Sequence, residues 1–508
     1  MLRTGAEYRE SIRDGREVWI DGEKVDDVTT HPMFKPLVDI RAQIYDLAHD
    51  PETADVMTYT DEKSGELCAI GSKPPMEIAD WKQKRASVDT VLDRAGGVVT
   101  RVGDETAGEM WSLIDGQDVL NEIDPQFSEN IVRHVERTRV EDPFHVSANT
   151  DAKGNRAKWP TEQDPDVLLR VVKETDAGII VRGAKFETAA AYANQAFVKP
   201  TIADWGNAPT SEYAVGFVVS MDAPGLKFFC RSGFAQCDAR DYPLSARFDE
   251  VDTMIVFDDV LVPWEDVLFY RHTKAAQFIR ATLHRYSAFP YLQRYERWAD
   301  LLLGTAYLSA QQTGVKMHQG VRENIARVAN YREMISAHLT AAVENAQRSP
   351  EGMLMPNQQT IFSGRALASS MLPDIMHTVR DISGCQQSLL PSASTFDLPE
   401  AAPYLEKYFA VDGTPAEERF KLLAFTRDLL NSDYATHRLT FQLFAQSPPF
   451  SHLLAVYNNY DFRGVSDLVR ETAGMSPTSS AENDPSLARV VDGHQNTREK
   501  AAEKTSVA

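Results

Sequence analysis

Val167-Leu-Leu-Arg-Val-Val-Lys-Glu-Thr175, Asp176-Ala-Gly178 and Ile179-Ile-Val-Arg-Gly-Ala-Lys-Phe186 form two β-favouring runs around a glycine-containing turn, the pattern of a hairpin. Further β-rich runs follow at 214 to 220, 226 to 230 and 253 to 262, separated by Pro224-Gly225 and other breakers. No long helical pattern intervenes, so residues 142 to 271 read as an antiparallel sheet or barrel and not as a doubly wound parallel sheet.

Outward from this block the texture is helical. Upstream, residues 1 to 141 show helical spacing at 38 to 47 and 78 to 92, with one short strand pair begun by Gly15-Arg-Glu-Val-Trp-Ile-Asp-Gly22. Downstream, long helical stretches at 291 to 314, 322 to 347, 358 to 384 and 417 to 446 predict a bundle over 272 to 475. Pro373 is expected to kink or break the third. Residues 476 to 508 are rich in Ser, Asp, Glu and Lys and read as a polar tail. The fold class is therefore α+β, in the order N-terminal mainly helical domain (1–141), central β domain (142–271), C-terminal helical bundle (272–475) and tail (476–508).

Composition narrows the function. A chain of 508 residues suits roughly three units of about 150 residues. With 53 Lys plus Arg against 74 Asp plus Glu, the formal charge of −21 repels polyanions, which disfavours nucleic acid and anionic membranes as partners. No run of about 18 apolar residues marks a membrane span. The charged start, Met1-Leu-Arg-Thr-Gly-Ala-Glu, lacks the apolar stretch of a secretion signal, and the four cysteines are scattered without a CxxC pair. A cytoplasmic protein with reduced thiols is expected.

The 12 histidines include no HExxH and no Cys/His cluster, so no metal is expected. GxSxG, GxxxxGK[ST] and GxGxxG are also absent, which argues against a serine hydrolase, a P-loop and a resident Rossmann domain. An α domain, a β domain and an α bundle instead place a ligand in the cleft where they meet. An isoalloxazine ring there needs polar donors at one edge and apolar walls on its faces.

Arg3-Thr-Gly-Ala-Glu-Tyr-Arg-Glu-Ser-Ile-Arg-Asp-Gly-Arg-Glu-Val-Trp-Ile20 followed by Val28-Thr-Thr-His-Pro32 resembles the opening of the oxygenase components of the 4-hydroxyphenylacetate 3-monooxygenase family, which includes chlorophenol monooxygenases. The resemblance continues through Lys173-Glu-Thr-Asp-Ala-Gly-Ile-Ile-Val-Arg-Gly-Ala-Lys185, Asp241-Tyr-Pro-Leu-Ser-Ala-Arg-Phe-Asp-Glu250 and Phe257-Asp-Asp-Val-Leu-Val-Pro-Trp-Glu-Asp-Val-Leu-Phe-Tyr-Arg271. It thins in the bundle to Phe289-Pro-Tyr-Leu-Gln293 and helix spacing. It implies an acyl-CoA-dehydrogenase-like fold, a homotetramer and a two-component system. A separate NAD(P)H-flavin reductase supplies reduced FAD, oxygen forms a flavin C4a-hydroperoxide, and one oxygen atom passes to an electron-rich aromatic ring.

The resemblance also implies site residues. The family segment Arg-Thr-Pro-Asp-Tyr appears here as Arg101-Val-Gly-Asp-Glu105. Arg101 keeps the cation that stabilises a phenolate or the developing flavin alkoxide, with a surface ion pair to Asp104 or Glu105 as the plainer alternative. Glu105 replaces a phenol hydroxyl and either acts as a base or recognises an N–H of a heteroaromatic ring. His145 matches the histidine between flavin and substrate. Asn155 and Arg156 follow two residues late, and with Thr188 and the segment Ala445, Gln446, Ser447 and Pro448 they are expected to contact FAD; Thr188 reads otherwise as a strand-end residue bonding its own backbone, and the 445–448 segment equally as a helix terminator at Pro448 and Pro449. Phe289-Pro-Tyr-Leu-Gln293 walls the substrate pocket or belongs to the core. The expected function is hydroxylation of a phenolic or hydroxylated N-heteroaromatic compound by reduced FAD and oxygen. The alternatives are a ring-opening oxygenase of a heteroaromatic, a 4-hydroxybutyryl-CoA-dehydratase-like protein and a non-catalytic flavin-binding protein. The dehydratase reading needs cluster-ligand cysteines that are not grouped here.

Overall fold

The hairpin is present: Arg170–Thr175 pairs antiparallel with Gly178–Thr188. Its turn needs glycine, because a Cβ on Gly178 would lie 2.0 Å from the Val262 carbonyl oxygen on the neighbouring strand. The computed structural model describes residues 2–100, 105–155, 157–200, 208–271, 273–444 and 449–475. The predicted tail over 476–508 lies outside the described residues.

The N-terminal part carries helices α1 (Gly5–Ser11), α2 (Lys35–Asp46), α3 (Ala54–Met57), α4 (Ile78–Ala95), α5 (Glu105–Asp115), α6 (Gln117–Ile123) and α7 (Pro125–Glu141). It also contains strands β1 (Glu17–Ile20), β2 (Glu23–Val25), β3 (Thr58–Thr60) and β4 (Leu67–Ala69). The middle holds β5 (His145–Ala148), β6 (Thr150–Asp151), β7 (Arg170–Thr175), β8 (Gly178–Thr188), β9 (Gln195–Val198), β10 (Val215–Ser220) and β11 (Leu226–Cys230). The short helix α8 (Ser245–Phe248) then precedes β12 (Asp252–Pro263) and β13 (Val267–Tyr270). The C-terminal part is helical: α9 (Thr273–Gln312), α10 (Gln319–Glu344), α11 (Gln358–Ser383), α12 (Ala402–Phe409), α13 (Ala416–Leu430), α14 (Asp433–Phe444), α15 (Pro449–Asn459) and α16 (Phe462–Thr472).

The strands form two sheets. One runs β2-β1-β11-β12-β8-β6 with β7 added to β8, and the other runs β13-β10-β9-β5. Val181, Ile255 and Phe257 from the first meet Phe197 and Phe217 from the second in one core, with Phe217 and Phe257 edge to face at 6.1 Å. The sheets are not purely antiparallel as the local pattern predicts. β1 pairs parallel with β11, and β5 pairs parallel with β9. Both pairings join segments separated by other elements, so no turn signal between adjacent strands announces them. β1 is thus a strand of the main sheet lent by the mainly helical N-terminal part.

Helices α9, α10 and α11 pack against one another as the core of the bundle. Pro373 does not break its helix: α11 runs continuously from Gln358 to Ser383, with Leu372 and Ile375 buried on either side of the proline. One expectation is corrected here. The stretch from 417 to 446 is two helices, since the Ser432 hydroxyl accepts the Ala435 amide at 3.0 Å and starts α14 afresh. Helix α5 reaches both neighbouring layers. At Gly108 it comes so close to α9 that a Cβ would stand 2.3 Å from Cδ1 of Tyr286, and one residue later Glu109 reaches β5.

Candidate active site

His145 opens β5 and is buried, directly opposite Gln195 in the parallel register with β9. The Gln195 amide nitrogen donates to His145 Nδ1 at 2.8 Å, so Nδ1 is the acceptor and Nε2 carries the ring proton. Burial, reinforced by His134, Lys199 and Arg137, drives the His145 pKa well below the ordinary histidine value. Its neighbour His134, with ring centroids 5.6 Å apart, is pushed down to about 3 by burial and by Arg137. His145 is therefore a neutral imidazole with its ring proton on Nε2.

Two residues along β5, on the same strand face, the Ser147 hydroxyl donates to the Glu109 carboxylate. Lys199 Nζ, just beyond β9, donates to Glu109 Oε1 at 2.5 Å and to Ser147 Oγ at 3.2 Å. All three are buried. A second buried pair lies next to them: Lys185 of β8 donates to Asp151 Oδ1 at 2.5 Å and to the Lys199 carbonyl at 2.9 Å. Burial lowers the Lys185 pKa against the pull of Asp151. Sequence reasoning passed over Gln195, Glu109, Ser147, Lys185 and Lys199. The available signals were Glu109 one helical turn after Glu105, and polar residues at 195 and 199 in step with the alternation of β9.

Glu105 is the first residue of α5, whereas Arg101 and Arg156 lie outside the described residues, as do Ala445, Gln446, Ser447 and Pro448. The residue before Arg101 is clamped. Thr100 donates its main-chain N–H at 2.9 Å and its hydroxyl at 2.7 Å to Glu250, while Arg294 donates to its carbonyl at 3.0 Å. Arg438 of α14 completes the clamp by pairing with Glu250 at 2.9 Å. Three separate parts of the chain thus hold Thr100.

Thr188 ends β8 and is buried, its hydroxyl donating to Asp252. The other oxygen of Asp252 lies 2.7 Å from His437 Nε2 on α14. Burial pushes the Asp252 carboxyl up, but hydrogen bonds from His437 and Thr188 outweigh it and hold the group below its usual range. His437 Nδ1 is buried without a hydrogen-bond partner. Asn155 is exposed instead, its side chain accepting the Ala157 amide at 3.0 Å in a turn, so the described contacts do not join it to His145 or Thr188. Phe289, Tyr291 and Leu292 are buried in the bundle core, where the Tyr291 hydroxyl donates to the Gln442 carbonyl.

The arrangement sets a neutral hydrogen-bond donor and a buried cation–carboxylate network beneath α5. No group of three or more His, Cys, Asp or Glu able to hold a metal occurs among the described residues. No described helix is long and apolar enough to cross a membrane.

Two family descriptions match the chain: 4-hydroxyphenylacetate 3-hydroxylase N terminal over residues 4–269, and 4-hydroxyphenylacetate 3-hydroxylase C terminal over residues 273–474. The oxygenase component of 4-hydroxyphenylacetate 3-monooxygenase from Thermus thermophilus is 30% identical, covering 92% of this chain and 97% of its own length. The oxygenase component of 4-nitrophenol 2-monooxygenase from a Rhodococcus species is 33% identical over 85% of this chain and 83% of its own. Among solved structures, an oxygenase component of 4-hydroxyphenylacetate 3-monooxygenase complexed with FAD and 4-hydroxyphenylacetate superposes with a TM-score of 0.86 at 30% identity, covering 93% of this chain and 98% of that one.

Proposed function

The chain belongs to the 4-hydroxyphenylacetate 3-hydroxylase family, and from that premise we propose that it is the oxygenase component of a two-component monooxygenase. It uses reduced FAD and molecular oxygen to hydroxylate a phenolic or hydroxylated N-heteroaromatic compound. A separate NAD(P)H-flavin reductase supplies the reduced flavin. The observation that carries this reading is His145: a buried, neutral imidazole held by Gln195 so that Nε2 donates, on a scaffold shared over nearly its full length with a flavin- and phenol-binding relative.

The residues fit a flavin. The orphaned Nδ1 of His437, the carboxylate of Asp252 and the hydroxyl of Thr188 form a polar group suited to the edge of an isoalloxazine or to its ribityl hydroxyls. From the family resemblance we also assign Arg156 and the 445–448 segment to FAD, with Asn155 only an exposed residue apart from that group. Bound reduced FAD would supply the two electrons that activate dioxygen, of which one oxygen atom goes to the ring and the other leaves as water. The protein's own work is to orient and to exclude water. His145 Nε2–H donates to the substrate ring oxygen, the Arg101 cation stabilises that oxygen as it ionises, and Glu105 takes its proton or an N–H of a heteroaromatic ring. The packing of α5 on β5 and α9 keeps solvent out.

Phe450, Leu453, Leu454 and Tyr457 on α15 and Val465, Leu468 and Val469 on α16 are exposed. An apolar face of this kind supports the homotetramer, with further copies of the chain covering it. The four cysteines are all free, which supports a reducing, cytoplasmic setting.

The test is to mix the protein with photoreduced FAD without air, add oxygen together with a phenol or a hydroxypyridine, and follow flavin reoxidation and product. Reoxidation far slower than that of free flavin, coupled to a hydroxylated product, is expected. Reoxidation at the free-flavin rate with no product overturns the proposal.

A further inference from the structure

Between α2, α4, α5, α7 and β5 lies a cavity of about 90 Å³, and His145 forms part of its wall. One water needs roughly 10–15 Å³ of such space, so several small molecules fit. Much of the lining is apolar: Ile44 of α2, Met57 of α3, Val88 and Val91 of α4, and Met110 of α5.

Water is a poor occupant, because a buried water is normally held by about three hydrogen bonds to the protein. The polar side chains on this wall are already engaged. Ser72 donates to the Ala69 carbonyl and Ser87 to the Lys84 carbonyl, each at 2.8 Å, and the Tyr45 hydroxyl donates to the main-chain carbonyl of Asp142 at 3.0 Å. The Gln195 amide holds Thr138 Oγ1 at 3.4 Å and His145 Nδ1 at 2.8 Å. Arg41 interacts with the Tyr45 hydroxyl and the Asp142 carboxylate, and its guanidinium lies 4.5 Å from the ring centroid of Tyr45 and 4.3 Å from that of Phe144. Its Nε and Nη1 have no accessible surface, so they do not face the cavity. What the space presents to an occupant is aliphatic and thioether surface, which suits a small uncharged molecule of low polarity.

We infer that this cavity is a dioxygen site, from which the gas passes His145 into the active site. The inference rests on the monooxygenase reading above and adds the path of the gaseous substrate. Dioxygen is apolar and more soluble in hydrocarbon than in water, so a dry apolar space takes it up from solution. A site that keeps water out still has to admit the gas. The wall shared with His145 places such a store beside the residue that orients the aromatic ring.

The test uses xenon as a probe of the cavity and oxygen kinetics as a probe of the path. Val88→Phe and Ala69→Leu each fill the space from its wall. Crystals of the flavin-free, full-length protein under xenon pressure are expected to show a xenon atom among Val88, Val91 and Met110 in the wild type and none in Val88→Phe. The full-length protein loaded without air with photoreduced FAD is then mixed with buffers of rising oxygen concentration. The bimolecular rate constant for oxygen is expected to fall roughly 10-fold in both variants, while the dissociation constant for reduced FAD keeps its wild-type value. If Val88→Phe fails to fold, Ala69→Leu carries the same comparison. A wild-type cavity that takes up no xenon belongs to water, and the inference is overturned. A wild-type oxygen rate constant in the folded, filled variants overturns it as well. If filling the cavity slows the reaction with oxygen but the wild type hydroxylates neither a phenol nor a hydroxypyridine, the monooxygenase reading falls and the dioxygen site stands.

Discussion

The side-chain amide of Gln195 donates to Nδ1 of His145 at 2.8 Å across a parallel strand pair. This contact decides which ring nitrogen holds the proton, and burial decides that there is only one proton to hold.

Gln195→Leu removes that donor while keeping the volume close. The two neutral tautomers then mix, and kcat is expected to fall roughly 10- to 100-fold with a smaller change in KM. Nitrogen-15 NMR of the imidazole should show the Nε2–H form giving way to a mixture. Wild-type turnover together with an unchanged spectrum would remove Gln195 as a positioning residue.

His134 and His452 are both pushed down to about 3, and His145 lies well below its ordinary value, in each case chiefly by burial. The unfolded chain protonates them near pH 6.5 and the native state does not. Their contribution is therefore complete above about pH 6.5 and is lost as pH falls towards about 3, at up to about 1.4 kcal/mol per pH unit for each. Urea unfolding at pH 6.5 and 5.5 measures the slope. His452→Gln should reduce it by one proton's worth, and an identical slope in the variant would contradict the assignment.

Glu109 accepts from both Lys199 and Ser147 in a buried setting. Glu109→Gln strips the negative charge facing Lys199 and is expected to cost about 3 kcal/mol of stability. The double variant Glu109→Met, Lys199→Met removes both charges and should recover part of that loss. Additive losses in denaturant unfolding would mean that the pair is not coupled.

Asp252 fixes Thr188 and His437 at once. Asp252→Ala releases both, and the affinity for reduced FAD is expected to weaken roughly 10-fold. Anaerobic flavin fluorescence reads this directly. An unchanged dissociation constant would separate this cluster from the cofactor.

Much of the fold is legible in local pattern. The hairpin of β7 and β8 shows in two β-branched runs around Gly178, and β10, β11 and β12 show as short runs between breakers. The helices α10 and α11 begin and end within three residues of the helical stretches at 322 to 347 and 358 to 384. His145 stands out only through its flanking residues, because a lone histidine carries no periodicity of its own. What the residues by themselves determined was the type and extent of each element, since alternation and helical spacing report which face an element buries. They do not report against what. The buried Val18 of β1 pairs with Val25 of its hairpin neighbour β2 on one side and, on the other, with Phe228 of β11 some two hundred positions away. Gln195 meets His145 at a separation of 50 residues, and Glu250 holds Thr100 at a separation of 150. Only the tertiary structure decided these contacts, because a hydrogen bond between distant strands depends on how two sheets and a bundle close over one core, and that closure is a property of the whole chain.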